Sequence, residues 1–424
     1  MDRPDIAEGQ RILRLIAAPS TWTNRRVESV EFLDDQAVRK RISVDLDVPE
    51  STPCVPLALL AKEILVDLDT VDETGRPLPV LTRGENTKVA WAALAAAAQK
   101  PLDEQGLDLD QQLLTDLRAL VSSDVDEAQE VFENLLASHP HADLLHEDAS
   151  FMRLASQLIH NFLFLVRLDA SPRERRILKF SYRAVLESPG VLSGALASIG
   201  FRRVSLLFDV PALGTSASYH FECEAPEDLE IEEGVLLVDD DEQVITGESS
   251  IRGSRVHMYL PGTVSPEAEK SAIIFVQRSR TGFVRIAALS AIFSSAVLTF
   301  FWNHLSTVAN QPDRVTAILL VIPGLLSLLA SRPGEHRLAS RFFFGTRVLV
   351  AVSGLLAYSA AATLAIALDE RELGRLWETL VYLSWATSAL LFLGLVRLDS
   401  LVDQGWAVIL ELWLWLERRK GGHT

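Results

Sequence analysis

Residues 277–302 read QRSRTGFVRIAALSAIFSSAVLTFFW. A short arginine-rich stretch runs directly into Ile286–Trp302, which holds no Asp, Glu, Lys, Arg or His. A helix rises about 1.5 Å per residue, so such a run crosses a hydrocarbon core about 30 Å thick once its flanks extend it. Three more runs of the same kind follow, Val315–Ala330, Val348–Leu368 and Leu380–Val396. Residues 282–398 are therefore expected to form four transmembrane helices. A kink is expected at Pro323-Gly324, because proline removes one helical hydrogen bond.

The flanking charges predict orientation. Arg278, Arg280 and Arg285 precede the first run, Arg332, Arg337, Arg341 and Arg347 separate the second from the third, and Arg397, Arg418, Arg419 and Lys420 follow the fourth. The opposite side carries Arg314, Arg371 and Arg375. The excess of positive charge marks the cytoplasmic side, so both termini are expected inside. The N-terminus, MDRPDIAEGQ, lacks the basic and apolar regions of a signal peptide, which agrees. Trp302 and Trp377 are then expected at the outer interface. Few lysines among many Arg, Ala and Leu suggest a bacterial source and hence an inner-membrane location.

Inside the runs, Ser353, Ala357, Ala361 and Ala365 recur every four residues, as do Ala287, Ala291 and Ser295. Small residues at this spacing let helices approach closely, either within one bundle or between copies in a homo-oligomer. The runs hold none of the buried charge that proton relays and ion pathways use. Residues 399–424 differ. LVDQGWAVILELWLWLERRK places Gln404, Ala407, Glu411 and Arg418 on one stripe of an otherwise apolar helix, the pattern of an amphipathic helix in the membrane interface.

The first part of the chain is of another kind. Residues 1–280 carry 47 acidic and 28 basic side chains, and residues 281–424 carry 10 and 12, giving −19 and +2, or −17 in all. An acidic soluble region is a poor partner for nucleic acid. The two cysteines, Cys54 and Cys223, have no CxxC partner and fit a reducing compartment.

Residues 5–17 read as a short helix, and AVRKRISVDLDV (37–48) alternates as a half-buried strand. EILVDLDTVDETGRPLPVLT carries a hairpin signal at Asp-Glu-Thr-Gly. An Ala-rich helix with Asn86 and Thr87 as caps follows, then further helices to about His160. From Phe162 strand character returns, and RRVSLLFDV, SASYHFECEA, LEIEEGVLLV, SRVHMYL and SAIIFVQ, separated by turn-formers, predict a β-sandwich. KRISVDLDVP (40–49) echoes RRVSLLFDVP (202–211) at five of ten positions, either a duplicated β-module or two strands converging on one pattern.

The expected architecture is an α+β multidomain membrane protein: a β-rich module over 1–84, a helical insertion over 85–161, a membrane-proximal β-sandwich over 162–281, four membrane helices and an interfacial tail. Nucleotide-binding, nucleophile-elbow and zincin motifs are missing from the sequence. The densest set of metal-ligating residue types is SHPHADLLHED (138–148), with His139, His141, Asp143 and His146. His139, His141 and Asp143 occupy three positions of the HxHxDH pattern of metallo-β-lactamase-type hydrolases, which activate water on zinc. Leu144 stands where a second-metal histidine belongs, so that family is not assigned. The ordinary reading is a turn in which Asp143 charges the first turn of a helix. Asp239-Asp240-Asp241-Glu242 reads as a solvated hairpin tip, and Glu335-His336 as part of a tight turn.

No cofactor or catalytic residue is expected. The function expected is coupling: a cytosolic domain binds a protein partner or small ligand, and the lipid-embedded bundle anchors or responds to it. The alternatives are a pore or transporter of oligomerised helices, and a membrane-bound metal-dependent hydrolase.

Overall fold

Alternation in the first strands sets the main sheet. In the computed structural model β1 (Thr23–Phe32) and β2 (Ala37–Asp47) pair antiparallel, with Val30 opposite Lys40 and Glu28 opposite Ile42. The structure describes residues 3–49, 54–62, 66–168, 173–186, 190–210, 216–240, 243–261, 269–279, 282–306, 315–316, 318–321, 326, 336–365 and 370–396. The interfacial tail, Arg280, Arg332 and Pro323-Gly324 lie outside them.

The main sheet has seven strands in the order β11-β12-β8-β1-β2-β6-β4. These are β4 (Val66–Val71), β6 (Arg175–Val185), β8 (Ser218–Glu224), β11 (Glu248–Arg252) and β12 (Arg255–Pro261) with the first pair. Strands that flank the helical segment in sequence thus share one sheet. The join is parallel, with Val30 of β1 beside Cys223 of β8. Local alternation finds each strand but does not encode its partner, so the sandwich strands read from sequence divide between two sheets.

Strand register puts Val30, Phe32, Val38, Ile42, Val44, Leu178, Phe180, Phe221, Cys223 and Met258 on one face. Two smaller sheets cover that face. β7 (Val204–Asp209), β9 (Leu229–Asp240), β10 (Gln243–Thr246) and β13 (Glu269–Arg278) form a four-stranded sheet in the order β10-β9-β13-β7, which packs over β8 and β12. β3 (Cys54–Ala61) pairs with β5 (Asn161–Arg167) and packs over β2 and β6. The echoing segments therefore stand differently: β2 is internal to the large sheet and β7 is the edge of the smaller one.

β3 is buried on both faces, which explains its unbroken apolar run. Its second face carries the helical layer of α1 (Ile6–Ala17), α2 (Arg83–Asp103), α3 (Gln111–Ser122), α4 (Val125–Ser138), α5 (Ala142–Glu147) and α6 (Ala149–His160). α2 is its axis, buried all round from Val89 to Ala98. Alanine there lets neighbours approach, and a Cβ on Gly9 of α1 would stand 2.0 Å from Ala92 O. The cap of α2 is Thr82, in a reciprocal capping box with Glu85, rather than Asn86 or Thr87. Asp148 ends α5 and caps α6 through Phe151 N–H (2.8 Å), so the expected single helix after the histidines is two.

Among the described residues, three long helices follow β13: α8 (Phe283–Asn303), α9 (Arg337–Ala365) and α10 (Glu370–Leu393). All three are long and apolar enough to cross a membrane. They pack on each other through Ala287, Ala291, Ser353, Ala357, Ala361, Trp377 and Ser384, all at most 2% exposed. Ser295 Oγ shares hydrogen bonds with Ser384 Oγ (2.6 Å) and Ser388 Oγ (2.8 Å). Outward, they present large apolar side chains such as Phe293, Phe344, Leu355 and Tyr382. Trp377, expected at an interface, is instead buried, and its indole donates to Thr363 Oγ1 (2.9 Å). Of the second apolar run, residues 315, 316, 318–321 and 326 are described; all are helical, and Val315, Leu319 and Leu326 join the same apolar cluster.

Candidate functional site

The first turns of the apolar helices belong to the core of the sandwich. Phe283 and Val284 of α8 and Leu338, Ala339, Phe342 and Phe343 of α9 pack into one cluster with Leu206, Phe208, Leu229, Ile231 and Val276 of the smaller sheet. Only residues 279–282 separate β13 from α8. Arg278, the last residue of β13, lies at the centre of this passage and is 4% exposed. Its guanidinium donates to Thr346 Oγ1 on α9, to Ile199 O and Ser198 O (3.5 Å) at the end of α7 (Val191–Ile199), and to Gly394 O (3.0 Å) just after α10.

Two glycines make that convergence possible. A Cβ on Gly345 would meet Ser198 Oγ at 2.4 Å, and one on Gly394 would meet Ile199 O at 2.2 Å. α7 closes in a left-handed Gly200 (φ 92°), whose N–H bonds back to Leu196 and Ala197. A further tie starts α9. His336 Nδ1 accepts from Leu338 N–H (3.2 Å), and the other ring nitrogen lies 3.2 Å from Phe32 O at the end of β1. A carbonyl only accepts, so the ring proton sits on Nε2.

The arginines singled out from sequence divide in role. Arg278 is buried in the junction, whereas Arg285 and Arg337 are exposed beside it. Arg341 and Arg347 are half-buried on α9, and Arg347 donates to Ser340 Oγ (3.0 Å). Ser353, Ala357 and Ala361 face the chain's own helices. Ala365 ends α9, and its side chain lies outside the described residues.

The histidine stretch is a turn followed by the short α5, with only His139 and Leu145 buried. His139 follows α4, and its Nε2 lies 3.3 Å from Asp110 Oδ2 at the cap of α3. Its Nδ1 accepts from His141 N–H (3.2 Å). Burial pushes the Asp110 carboxyl up, but Leu113 N–H and the adjacent His139 outweigh it and hold it below the ordinary range. Asp143 and His146 are exposed. Among the described residues, no three His, Cys, Asp or Glu side chains are grouped to hold a metal ion. Asp239 and Asp240 lie in β9 at the turn to β10, and Asp241 and Glu242 lie outside the described residues.

Sequence reading missed a charged cluster in the main sheet. Arg26, Glu28 and Lys40 point to the covered face, between the areas occupied by the two smaller sheets. Glu28, fully buried, lies 3.3 Å from Lys40 Nζ and accepts from Tyr219 OH (3.2 Å). Arg26 Nη1 donates to Leu57 O of β3 (2.8 Å). Burial, reinforced by the Glu28 charge, pushes the Tyr219 hydroxyl well above the usual phenol range. The signal was present: with Val30 and Phe32 inward, alternation puts Glu28 and Arg26 inward too.

The opposite face of the main sheet is polar and open. Over β1, β8 and β12 it forms a groove of about 920 Å³ whose walls include Glu31, Arg41, Glu222, Arg255, His257 and His336. Two ion pairs cross it, Arg41–Glu31 (2.6 Å) and Arg255–Glu224 (2.9 Å). His336 thus belongs both to the groove and to the start of α9.

No protein-family model matches the chain, and no curated protein does. Among solved structures, an M1 zinc metallopeptidase variant from Deinococcus radiodurans bound to a Tyr-Ser-Ala substrate aligns at 8% identity and a TM-score of 0.26, covering 88% of this chain and 93% of that one. The M1 zinc metallopeptidase from the same organism without that substrate aligns at 9% identity and a TM-score of 0.25, with the same coverage. At these TM-scores the likeness carries no argument about fold or activity.

Proposed function

We propose that the chain is a multi-pass inner-membrane protein of bacterial type that works as a coupling device. Its cytosolic sheets bind a partner or ligand, and the junction transmits that event to the membrane helices. The observation that carries this is the shared core of the sandwich with the first turns of α8 and α9, tied by Arg278. A packed, hydrogen-bonded junction has few soft degrees of freedom, so displacement on one side moves the other.

Chain direction supports four crossings. α8 leaves the junction at Phe283, α9 starts again at the junction, and α10 returns to it at Gly394. A helix of 21 residues ends about 30 Å away, so the chain must come back between Asn303 and Arg337. We assign that return to the stretch that holds the described helical residues 315, 316, 318–321 and 326. Arg278, Arg285, Arg337, Arg341 and Arg347 then share the sandwich side, and Arg371 and Arg375 the far side, which supports both termini inside. The mutual hydrogen bonds of Ser295, Ser384 and Ser388 favour packing within one bundle over a hydroxyl-lined pore.

The coupling reading is tested by unfolding the full chain in nanodiscs with two probes, one on the main sheet and one on α10. Coincident transitions that separate in Arg278→Met support it. Transitions already separate in the native chain refute it.

A further inference from the structure

The tie between β1 and α9 runs through an imidazole, the group that changes charge near neutral pH. His336 stands at the N-cap of α9. Its carbonyl accepts the first helical hydrogen bond, from Ser340 N–H (2.9 Å), and its Nδ1 accepts from Leu338 N–H (3.2 Å). The usual caps are Ser, Thr, Asp and Asn, whose oxygens keep their lone pairs near neutral pH. An imidazole does not. Nε2 already carries the ring proton that points at Phe32 O (3.2 Å), so a second proton must go to Nδ1. That proton removes the acceptor for Leu338 N–H and sets a positive charge at the positive end of the helix dipole. Both effects act on the turns that carry Leu338, Ala339, Phe342 and Phe343 into the core of the sandwich.

We propose that His336 is a proton switch: neutral, it caps α9 and holds it to β1, and protonated, it leaves the cap and turns into the groove, loosening the junction. The ring is half-buried on the groove wall, so protons reach it. The groove can receive a cation. β1 brings Glu31 to it, β8 brings Glu222 and Glu224, and the turn after β8 brings Glu227. Against these four carboxylates stand Arg41 of β2, Arg252 of β11 and Arg255 of β12. Arg41 and Arg255 are held by Glu31 and Glu224, which leaves Glu222 and Glu227 without an ion pair among the described residues. His257 of β12 also lines the groove, and its Nε2 lies 3.0 Å from His220 Nδ1. At the cap itself the charges oppose a cation. Arg337 and Arg341 lie on α9, and the β1–β2 turn offsets them only in part, because Asp34 is shared with Arg183 and Asp35 stands alone beside Arg341. A charged ring therefore gains by leaving the helix end for the groove.

The switch rests on the coupling reading only for where the opening is sent. Exchange at residues 338–343 tests the switch and the probe on α10 tests the coupling, so either can fail alone. The experiment is amide exchange of the full chain in nanodiscs, compared as protection factors so that the intrinsic pH dependence of exchange cancels. From about pH 8 to about pH 5, the range in which an imidazole gains its charge, residues 338–343 lose protection about fivefold or more, the worth of one N-cap, while β2 keeps its own. His336→Asn caps with an oxygen that does not titrate and stays protected at both values, and His336→Ala is open at both. In the native chain with isotope-labelled histidine, magnetic resonance shows the His336 ring neutral with its proton on Nε2 at the upper value and doubly protonated at the lower, a readout independent of how the variants fold. The proposal is overturned if protection at 338–343 does not change with pH, if His336→Asn loses it on acidification as the native chain does, so that another group such as His257 is responsible, or if the neutral ring carries its proton on Nδ1.

Discussion

Replacing Arg278 by Met should loosen the junction more than it loosens either side of it. Methionine keeps most of the buried stem and removes the guanidinium. The structure then leaves Ile199 O, Ser198 O, Gly394 O and Thr346 Oγ1 without that donor in a region closed to water. Each buried acceptor left unsatisfied costs about 1–3 kcal/mol. Thr346 Oγ1 keeps its own bond to Ser198 O (3.2 Å), and the carbonyls at helix ends regain part of theirs by local relaxation. We therefore expect about 3–5 kcal/mol, the loss of one donor shared by several buried acceptors after partial relaxation. The loss falls on α7 and on the ends of α9 and α10, because this one side chain donates to all three. Amide exchange in nanodiscs reads it directly. Residues 191–200 should exchange at least about a hundredfold faster, as a loss of about 3 kcal/mol requires, while β1 and β2 keep their protection. Unchanged exchange at 191–200, or equal loss throughout the sandwich, would refute the reasoning.

Three other outcomes follow from packing and charge. Gly394→Ala forces a Cβ against Ile199 O and should lower stability by about 1–3 kcal/mol, measured by thermal melting. Glu28→Gln keeps an acceptor for Tyr219 but leaves Lys40 buried without its counter-charge, so denaturant melts should show a loss of about 3–5 kcal/mol. Lys62 donates to Leu120 O (2.9 Å) and Ser123 O (3.0 Å), yet burial pulls its ammonium down to about 8. The unfolded chain holds that proton up to about pH 10.4. It therefore binds more protons between these values, and this contribution makes stability rise with pH above about 8. Lys62→Met should remove that rise, and pH-dependent melts check it.

The apolar helices were legible because no Asp, Glu, Lys, Arg or His interrupts 286–302, 348–368 or 380–396, and burial of charge in lipid is expensive enough to make such a gap informative. The individual strands were legible by alternation. Their division into sheets was not, since β8 joins β1 and β9 joins β13 through pairings that no local pattern specifies. The cap of α2 was placed at Asn86 and Thr87 because both are good caps, but the reciprocal box Thr82–Glu85 satisfies two backbone or side-chain donors at once and wins. Arg278 was visible only as one of a group of membrane-flanking charges. Its acceptors lie 68 to 116 residues away along the chain, so its burial could not be read from its neighbours. The role of His336 was hidden for the same reason: Phe32 lies 304 residues from it along the chain.

The central claim is that the sheets sit on one side of a membrane and α8, α9 and α10 cross it. Single cysteines at Glu224 on the main sheet and at Glu372 near the start of α10 test this directly, because the native Cys54 and Cys223 are buried. In sealed vesicles of known orientation, an impermeant thiol reagent should label Glu372→Cys from the outer side only and Glu224→Cys from the cytoplasmic side only. Labelling of both positions from one side would contradict the account.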